Sequence, residues 1–284
     1  MIRKQHFIQA LTLGLFPLLL PNIAQAQVGL SPLIIESKLD KGKAEGVITV
    51  SNPEKETFRA RVYPELFIYD PELGFKTIPS DQSSIVPYLQ FSPRELEVPG
   101  NKERKVRVII RTPPSLPDGE YRAVIFTENL KQSDIKQGQL TTAVVARIGT
   151  VVFIRKGNVS PKLTVDSIKY NSQKKSLELI VKNNGTATGY GAINWKLKQG
   201  NQEITNGVFP KVSTSVNSQR NMMLQYPNKA DQPSLKPGKY QLTGELSWKY
   251  PELSENKNTV PFTVDFDVPV ELKFIEQKAP NTGK

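Results

Sequence analysis

Turn signals break this chain into short lengths, and the segments between them read as strands. Asp40-Lys41-Gly42, Asn52-Pro53, Asp70-Pro71, Pro99-Gly100-Asn101, Pro113-Pro114 and Pro117-Asp118-Gly119 punctuate the first half. Proline presets φ and glycine permits positive φ, so each reads as a turn with a mechanism. The intervening stretches, rich in β-branched and aromatic residues, predict strands at 29–36, 46–51, 57–69, 84–91, 95–98, 104–112, 121–130 and 140–155. After 157–161, a linker, strands are expected at 162–170, 176–182, 189–198, 202–209, 219–226, 239–248 and 259–273. No window of about twelve residues past the N-terminal region carries a helical stripe. The chain is expected to be all-β: two immunoglobulin-like β-sandwich domains in tandem, at 27–157 and 158–275, with a flexible tail at 276–284.

The stretch 140–155, LTTAVVARIGTVVFIR, departs from strict alternation. Ala143 to Ala146 and Val151 to Ile154 are uninterrupted apolar runs, and Arg147 is the one internal charge. A half-exposed strand alternates; this one is apolar on both sides and asks for cover on both faces. One face can pack within its own sandwich. The other, carried by Leu140, Thr142 and Val144, needs a second sheet or another protein.

The N-terminus reads as a secretory signal peptide, 1–26: Arg3 and Lys4, an apolar run from Phe7 to Leu20, then Ala24-Gln25-Ala26. The run is too short for a comfortable membrane span. The chain has no cysteine, and its single histidine, His6, falls in this leader. Export without cysteine leaves burial alone to hold the fold. Lacking both residues, the chain past 26 offers no histidine base, no cysteine nucleophile and no usual zinc or copper site, so no enzyme, metal or cofactor is expected. The whole chain carries a formal charge of +11; without Arg3 and Lys4 it is +9. That charge favours acidic partners at long range, although a solvated basic surface gives the same total. Nucleic acid is not expected, because aromatics do not interleave with the basic clusters.

Other features have plainer readings. Trp195 and Trp248 fit the core of the second sandwich. Glu120 with Glu128, and Asp265 with Asp267, each share a strand face, as catalytic carboxylates or a solvated face would. Gly189 and Gly191 precede no helix, so a phosphate cradle is not supported.

The halves echo each other. The segment 47–52, VITVSN, resembles 177–183, LELIVKN, each an alternating strand that ends at an asparagine-led turn. The segment 116–121, LPDGEY, resembles 235–240, LKPGKY, each a tight turn entering a strand at Tyr121 or Tyr240, where a tyrosine corner would sit.

Phe91-Ser92-Pro93 followed by 96–108, LEVPGNKERKVRV, resembles a motif of the PapD-like periplasmic pilus chaperones, in which a proline leads into a strand, a Pro-Gly turn and a strand bearing a Val-Arg pair. Val50-Ser51-Asn52 resembles the end of that family's second strand, 116–130 its sixth strand and 146–155 its seventh. The resemblance implies a boomerang of two immunoglobulin-like domains around a cleft. It further implies that the seventh strand is lent to pilus or surface-protein subunits, with Leu140, Thr142 and Val144 filling the subunit's open core. At about 25 cal/mol per Å² of apolar area, three such residues would give roughly 3–5 kcal/mol before ordering costs.

In that family two basic residues, on the first and seventh strands, grip the subunit's terminal carboxylate. Here 28–36 holds no Arg or Lys, the seventh-strand position falls near Gly149 or Val151, and Arg147 is the nearest basic residue. Glu120 and Arg155 match two members of the family's interdomain salt-bridge network; the second-domain aspartate has no match. What the resemblance implies is a periplasmic, non-enzymatic chaperone acting by donor-strand complementation, with an outer-membrane usher as a further partner. The alternatives are a structural or adhesive envelope protein built from the same two sandwiches, or an exported carbohydrate-binding module with aromatics exposed on one face.

Overall fold

The computed structural model describes residues 28–70, 73–137, 140–171, 176–224, 235–250 and 255–270; the expected leader at 1–26 and tail at 276–284 lie outside them. Nineteen strands are described. They run β1 (Gly29–Ser31), β2 (Ile34–Lys38), β3 (Lys43–Asn52), β4 (Phe58–Asp70), β5 (Gly74–Ile78), β6 (Leu89–Ser92), β7 (Glu95–Val98), β8 (Lys102–Arg111), β9 (Gly119–Asn129), β10 (Ser133–Gln137), β11 (Leu140–Val144) and β12 (Arg147–Lys156). Then come β13 (Leu163–Asn171), β14 (Ser176–Asn183), β15 (Gly189–Gln199), β16 (Gln202–Thr214), β17 (Ser218–Leu224), β18 (Gly238–Lys249) and β19 (Lys257–Val268).

In the first sandwich one sheet has the order β1-β3-β8-β6 and the other β2-β12-β9-β4-β5, with β7 also pairing β4. Two segments expected as single strands each divide between the sheets. Residues 29–36 become β1, which pairs β3, and β2, which runs parallel to β12. Pro32 stands at that switch and, having no N–H, cannot continue a ladder. Pro93 stands in the same way between β6, on β8, and β7, on β4. Residues 84–91 hold a 3-10 turn at Val86–Tyr88 before β6. Between the sheets lies a core of Ile48, Val50, Val62, Ile85, Val106, Val108, Ile110, Ile125, Val152 and Ile154. All of these but Ile85, which precedes the 3-10 turn, are the even or odd set of their strands, as period-two alternation requires.

The second sandwich packs β13-β14-β17 on β16-β15-β18-β19, seven strands in all. Trp195 and Trp248 lie in its core with Leu163, Leu177, Leu179, Ile193, Leu197, Leu242 and Leu246. The two sandwiches share no strand pairing among the described residues, and they use the same internal devices. Tyr121 donates its hydroxyl to the Pro117 carbonyl at 2.7 Å, and Tyr240 donates to Lys236 at 2.8 Å. Asn52, buried, donates to the Glu56 and Val98 carbonyls and accepts from the Glu54 N–H. Asn183 donates to Ala187 and Thr214 and accepts from Gly185 and Lys162. Each asparagine closes its own turn and ties it to a distant strand end. The tandem immunoglobulin-like architecture therefore holds at the level of individual hydrogen bonds.

The stretch 140–155 is not one covered strand. It breaks at Val145 and Ala146 into β11 and β12. Val152, Phe153 and Ile154 are buried, whereas Thr141 through Arg147 are exposed. The apolar sequence asked for cover on both faces; the fold provides it only over the C-terminal half.

Candidate functional site

β9 and β12 form a long antiparallel ladder from Glu128 opposite Arg147 to Gly119 opposite Lys156. Beyond it the chain continues as a second hairpin, β10 against β11, with Leu140 opposite Gln137, Thr142 opposite Ile135 and Val144 opposite Ser133. β10 lies in a polar segment, Ser133-Asp134-Ile135-Lys136-Gln137, whose weak alternation gives no strand signal. The Asn129 N–H donates to the Ala146 carbonyl at 3.0 Å and bridges the two ladders.

The outer side of this hairpin arm is open. β2 pairs with β12 only from Ile34 opposite Val151 to Lys38 opposite Arg155. The Val151 N–H reaches the Leu33 carbonyl at 2.9 Å, and the Thr150 hydroxyl reaches Pro32 at 3.1 Å. Among the described residues no strand pairs with 140–149 on the side away from β9 and β10. Roughly 30 Å of backbone edge is thus unpaired, at about 3.3 Å per residue. Leu140, Thr142 and Val144 share one face of β11 by alternation. Thr142 and Val144 are exposed, as is Val145, at 48%. An edge with unpaired N–H and C=O groups and exposed β-branched side chains is a template for another strand.

Next to this edge, the outer face of the sheet changes character row by row. Arg147 lies opposite Glu128, which lies opposite Arg61. Arg61 donates to Glu128 from Nε at 2.8 Å, and the Tyr63 hydroxyl bonds the same carboxylate. Arg147 donates to Tyr63 at 3.2 Å, pairs with Glu65 at 3.5 Å and lies over the Phe126 ring at 4.1 Å. The Tyr63 hydrogen bond and then the neighbouring carboxylates raise the Arg147 pKa, while Tyr63 and then Arg61 hold Glu128 below the usual carboxylate range. Arg147 is thus a strand-edge arginine paired with a neighbouring acid.

The next rows are apolar. Gly149 lies opposite Phe126, which lies opposite Tyr63, and Val151 lies between Ile34 and Val124. A Cβ at Gly149 would meet Val124 Cγ2 at 2.6 Å, so the neighbouring side chains already fill that space. Phe67, Val124, Phe126 and Phe153 form a cluster completed by Tyr190 of the second sandwich, whose ring meets Phe153 edge-on at 6.4 Å.

The last rows form a buried ionic junction. Arg155 donates to Glu120 at 3.0 Å and to Glu36 at 2.9 Å, and it lies over the Tyr250 ring at 4.7 Å. Burial alone would lower the Arg155 pKa; the Glu36 hydrogen bond and the Glu120 charge outweigh it and raise it. From the second sandwich, Thr188 donates its N–H to Glu120 at 3.0 Å and bonds it again through Oγ1. The fold brings Glu120 and Arg155 together, yet the partner across the junction is a neutral threonine. Glu36, Thr188 and Tyr250 carried no sequence signal. Glu36 lies 119 residues from Arg155, and Thr188 lies 68 from Glu120.

Glu120 and Glu128 do not converge. Glu120 is buried at the junction, whereas Glu128 sits at the far end of β9 with Arg61. Asp265 accepts from Gln241 at 2.9 Å. Among the described residues there is no group of three His, Cys, Asp or Glu that could hold a metal ion, and no helix is long and apolar enough to cross a membrane.

Fold and site together define a tandem-sandwich protein with a free strand edge on its first domain. No family model and no curated protein matches this sequence. Among solved structures it resembles periplasmic fimbrial chaperones. A chain of the class 5 fimbriae chaperone CfaA shares 13% identity at TM-score 0.43, over 86% of this chain and 100% of that one. A chain of the CsuC–CsuE pre-assembly complex from archaic chaperone-usher Csu pili of Acinetobacter baumannii shares 12% identity at TM-score 0.46, over 84% and 98%. A chain of the Salmonella enterica SafA pilin–SafB chaperone complex shares 13% identity at TM-score 0.43, over 83% and 94%. At such identities these are likenesses only; the fold rests on the strand pairing and the function on the residues.

Proposed function

We propose that this protein is an exported, non-enzymatic chaperone that holds subunits of a surface structure by lending them the edge of β11 and the start of β12. The carrying observation is the unpaired outer edge of 140–149 beside exposed Thr142, Val144 and Val145. A subunit with an incomplete sandwich has a matching unpaired edge and an open core. Backbone hydrogen bonds would join the two edges, and Leu140, Thr142 and Val144 would enter the gap. Each such bond contributes about 0.5–1.5 kcal/mol net, so the ladder supplies much of the affinity that three modest side chains cannot. Complex formation needs no nucleotide. The likeness of the motifs around 91–108 and 116–155 to those of the pilus chaperones supports the same reading. The second sandwich, joined through Glu120 and Thr188, would hold the cleft at a set width, and an outer-membrane usher would receive the loaded complex.

Photo-crosslinking tests this in the host cell envelope. A crosslinker at Thr142 or Val144 should capture a small exported β-sandwich protein, and one at Val208 on the second sandwich should not. Val144→Asp and Leu140→Asp should abolish the capture while the first sandwich stays folded. Equal capture by these variants and the parent chain would sink the strand-lending mechanism; recovery of the chain itself in an assembled surface layer would favour the structural envelope protein.

A further inference from the structure

Among the described residues, the outer-face cations beside the edge are each paired with an acid, and the step where β2 joins β12 is apolar. Where β2 joins β12, Ile34 and Val151 form a parallel cross-strand pair on the outer face of the sheet. Ile34 is 41% exposed and Leu33 beside it 56% exposed. Gly149 continues the row toward the unpaired edge, backed by Val124 and Phe126. Among the described side chains of the outer face, Arg147 and Arg61 are matched by carboxylates, Glu65 and Glu128 respectively, and these four charges cancel. Lys38, the first basic residue on β2, lies four positions past Ile34 and opposite Arg155.

A terminal carboxylate brought to this step would lose water without gaining a charged partner, which is costly. An aliphatic side chain brought there would cover Leu33, Ile34 and Val151. We propose that Leu33, Ile34 and Val151 form an apolar seat for an uncharged side chain within the client's strand, so that the client is held by an internal segment and not by its chain end. This rests on the strand-lending reading and adds which kind of segment the edge selects.

The probes are labelled peptides of about twelve residues that alternate valine and threonine, one with a C-terminal acid, one with a C-terminal amide and one extended past the seat by a few glycines and serines. Against the chain from residue 27, the three should bind within about twofold of one another. Ile34→Asp should weaken all three by about tenfold, the effect of losing one buried aliphatic contact. Ile34→Lys should create a preference for the acid of at least threefold. Thermal unfolding of both variants should stay close to the parent, since Ile34 is an exposed residue of the outer face. The inference is overturned if the acid binds the parent chain tenfold better than the amide, or if Ile34→Asp leaves binding unchanged. Ala143→Pro, which removes an N–H on the unpaired side of β11, separates the two levels. If it weakens binding and Ile34→Asp does not, the seat is wrong and the edge is right. If it has no effect, or if the parent chain binds none of the peptides, the strand-lending reading fails with it.

Discussion

Thr188 of the second sandwich donates both its N–H and its hydroxyl to the buried carboxylate of Glu120 in the first. The same carboxylate takes Arg155, and Arg155 takes Glu36. One guanidinium thus serves two acids in a site where the Glu120 side chain is 1% exposed. Among the described residues no acid of the second sandwich enters this site, and the domains meet through neutral donors aimed at a charge, together with Tyr190 and Tyr250.

Removing Arg155 should be far worse than removing the threonine hydroxyl. Arg155→Ala leaves Glu120 and Glu36 buried together and should destabilise the protein by about 3–5 kcal/mol. Thr188→Val keeps the backbone donor and should lose only about 1 kcal/mol. Urea unfolding followed by tryptophan fluorescence measures both, and small-angle scattering should show a wider distribution of shapes for Arg155→Ala.

Asn52 and Asn183 should behave as a matched pair. Each is buried and holds backbone groups of two separate segments. Replacement by leucine strands those groups, so each variant should lose about 2–3 kcal/mol. The sites lie in different cores, and the double variant should therefore show the sum within about 0.5 kcal/mol. Denaturant titration of the two single variants and the double variant checks this.

Acid should loosen the rim of the site through Glu128. Its folded pKa is held low by the Tyr63 hydroxyl and then Arg61, against an unfolded value of about 4.3. Between the two values the unfolded chain binds more protons, so this contribution is fully present above pH 4.3 or so and is lost as pH falls through the folded value. Tyr63→Phe should move the Glu128 titration upward, as read by carbon-13 NMR of the carboxyl. An unchanged midpoint would rule out the phenol as the main cause.

The arm should tolerate charge that the sheet beneath it does not. Val144→Asp, at an exposed position, should change stability by no more than about 0.5 kcal/mol. Gly149→Ala places a methyl 2.6 Å from Val124 Cγ2 and should destabilise by about 1–3 kcal/mol. Melting temperatures of the two variants decide whether the arm and the sheet are separable in this way.

Most strands were legible before folding because alternation and turn chemistry are local. The 95–98 strand and all seven strands of the second half were expected within a few residues of where they lie. Tyr121 and Tyr240 could be placed at corners because the turn precedes each by four residues. β5 and β10 escaped, since short, largely polar edge strands are made by their partners and not by their own pattern. Of the junction, Glu120 and Arg155 were visible only through motif resemblance; Glu36, Thr188 and Tyr250 come from other elements and have no local signature.

What the sequence determined alone is the strand alphabet: which segments extend, which faces are apolar and where the chain turns. Those follow from φ preferences and side-chain periodicity, which act over a few residues. Tertiary structure decided which apolar face stays uncovered. In 140–155 the same kind of residue is buried at Phe153 and exposed at Val145, because Phe67 and, from the second sandwich, Tyr190 close over Phe153, and β2 pairs with β12 only from Val151 onward. Whether an edge is roofed depends on where a strand from the other end of the domain stops, and local composition holds no record of that.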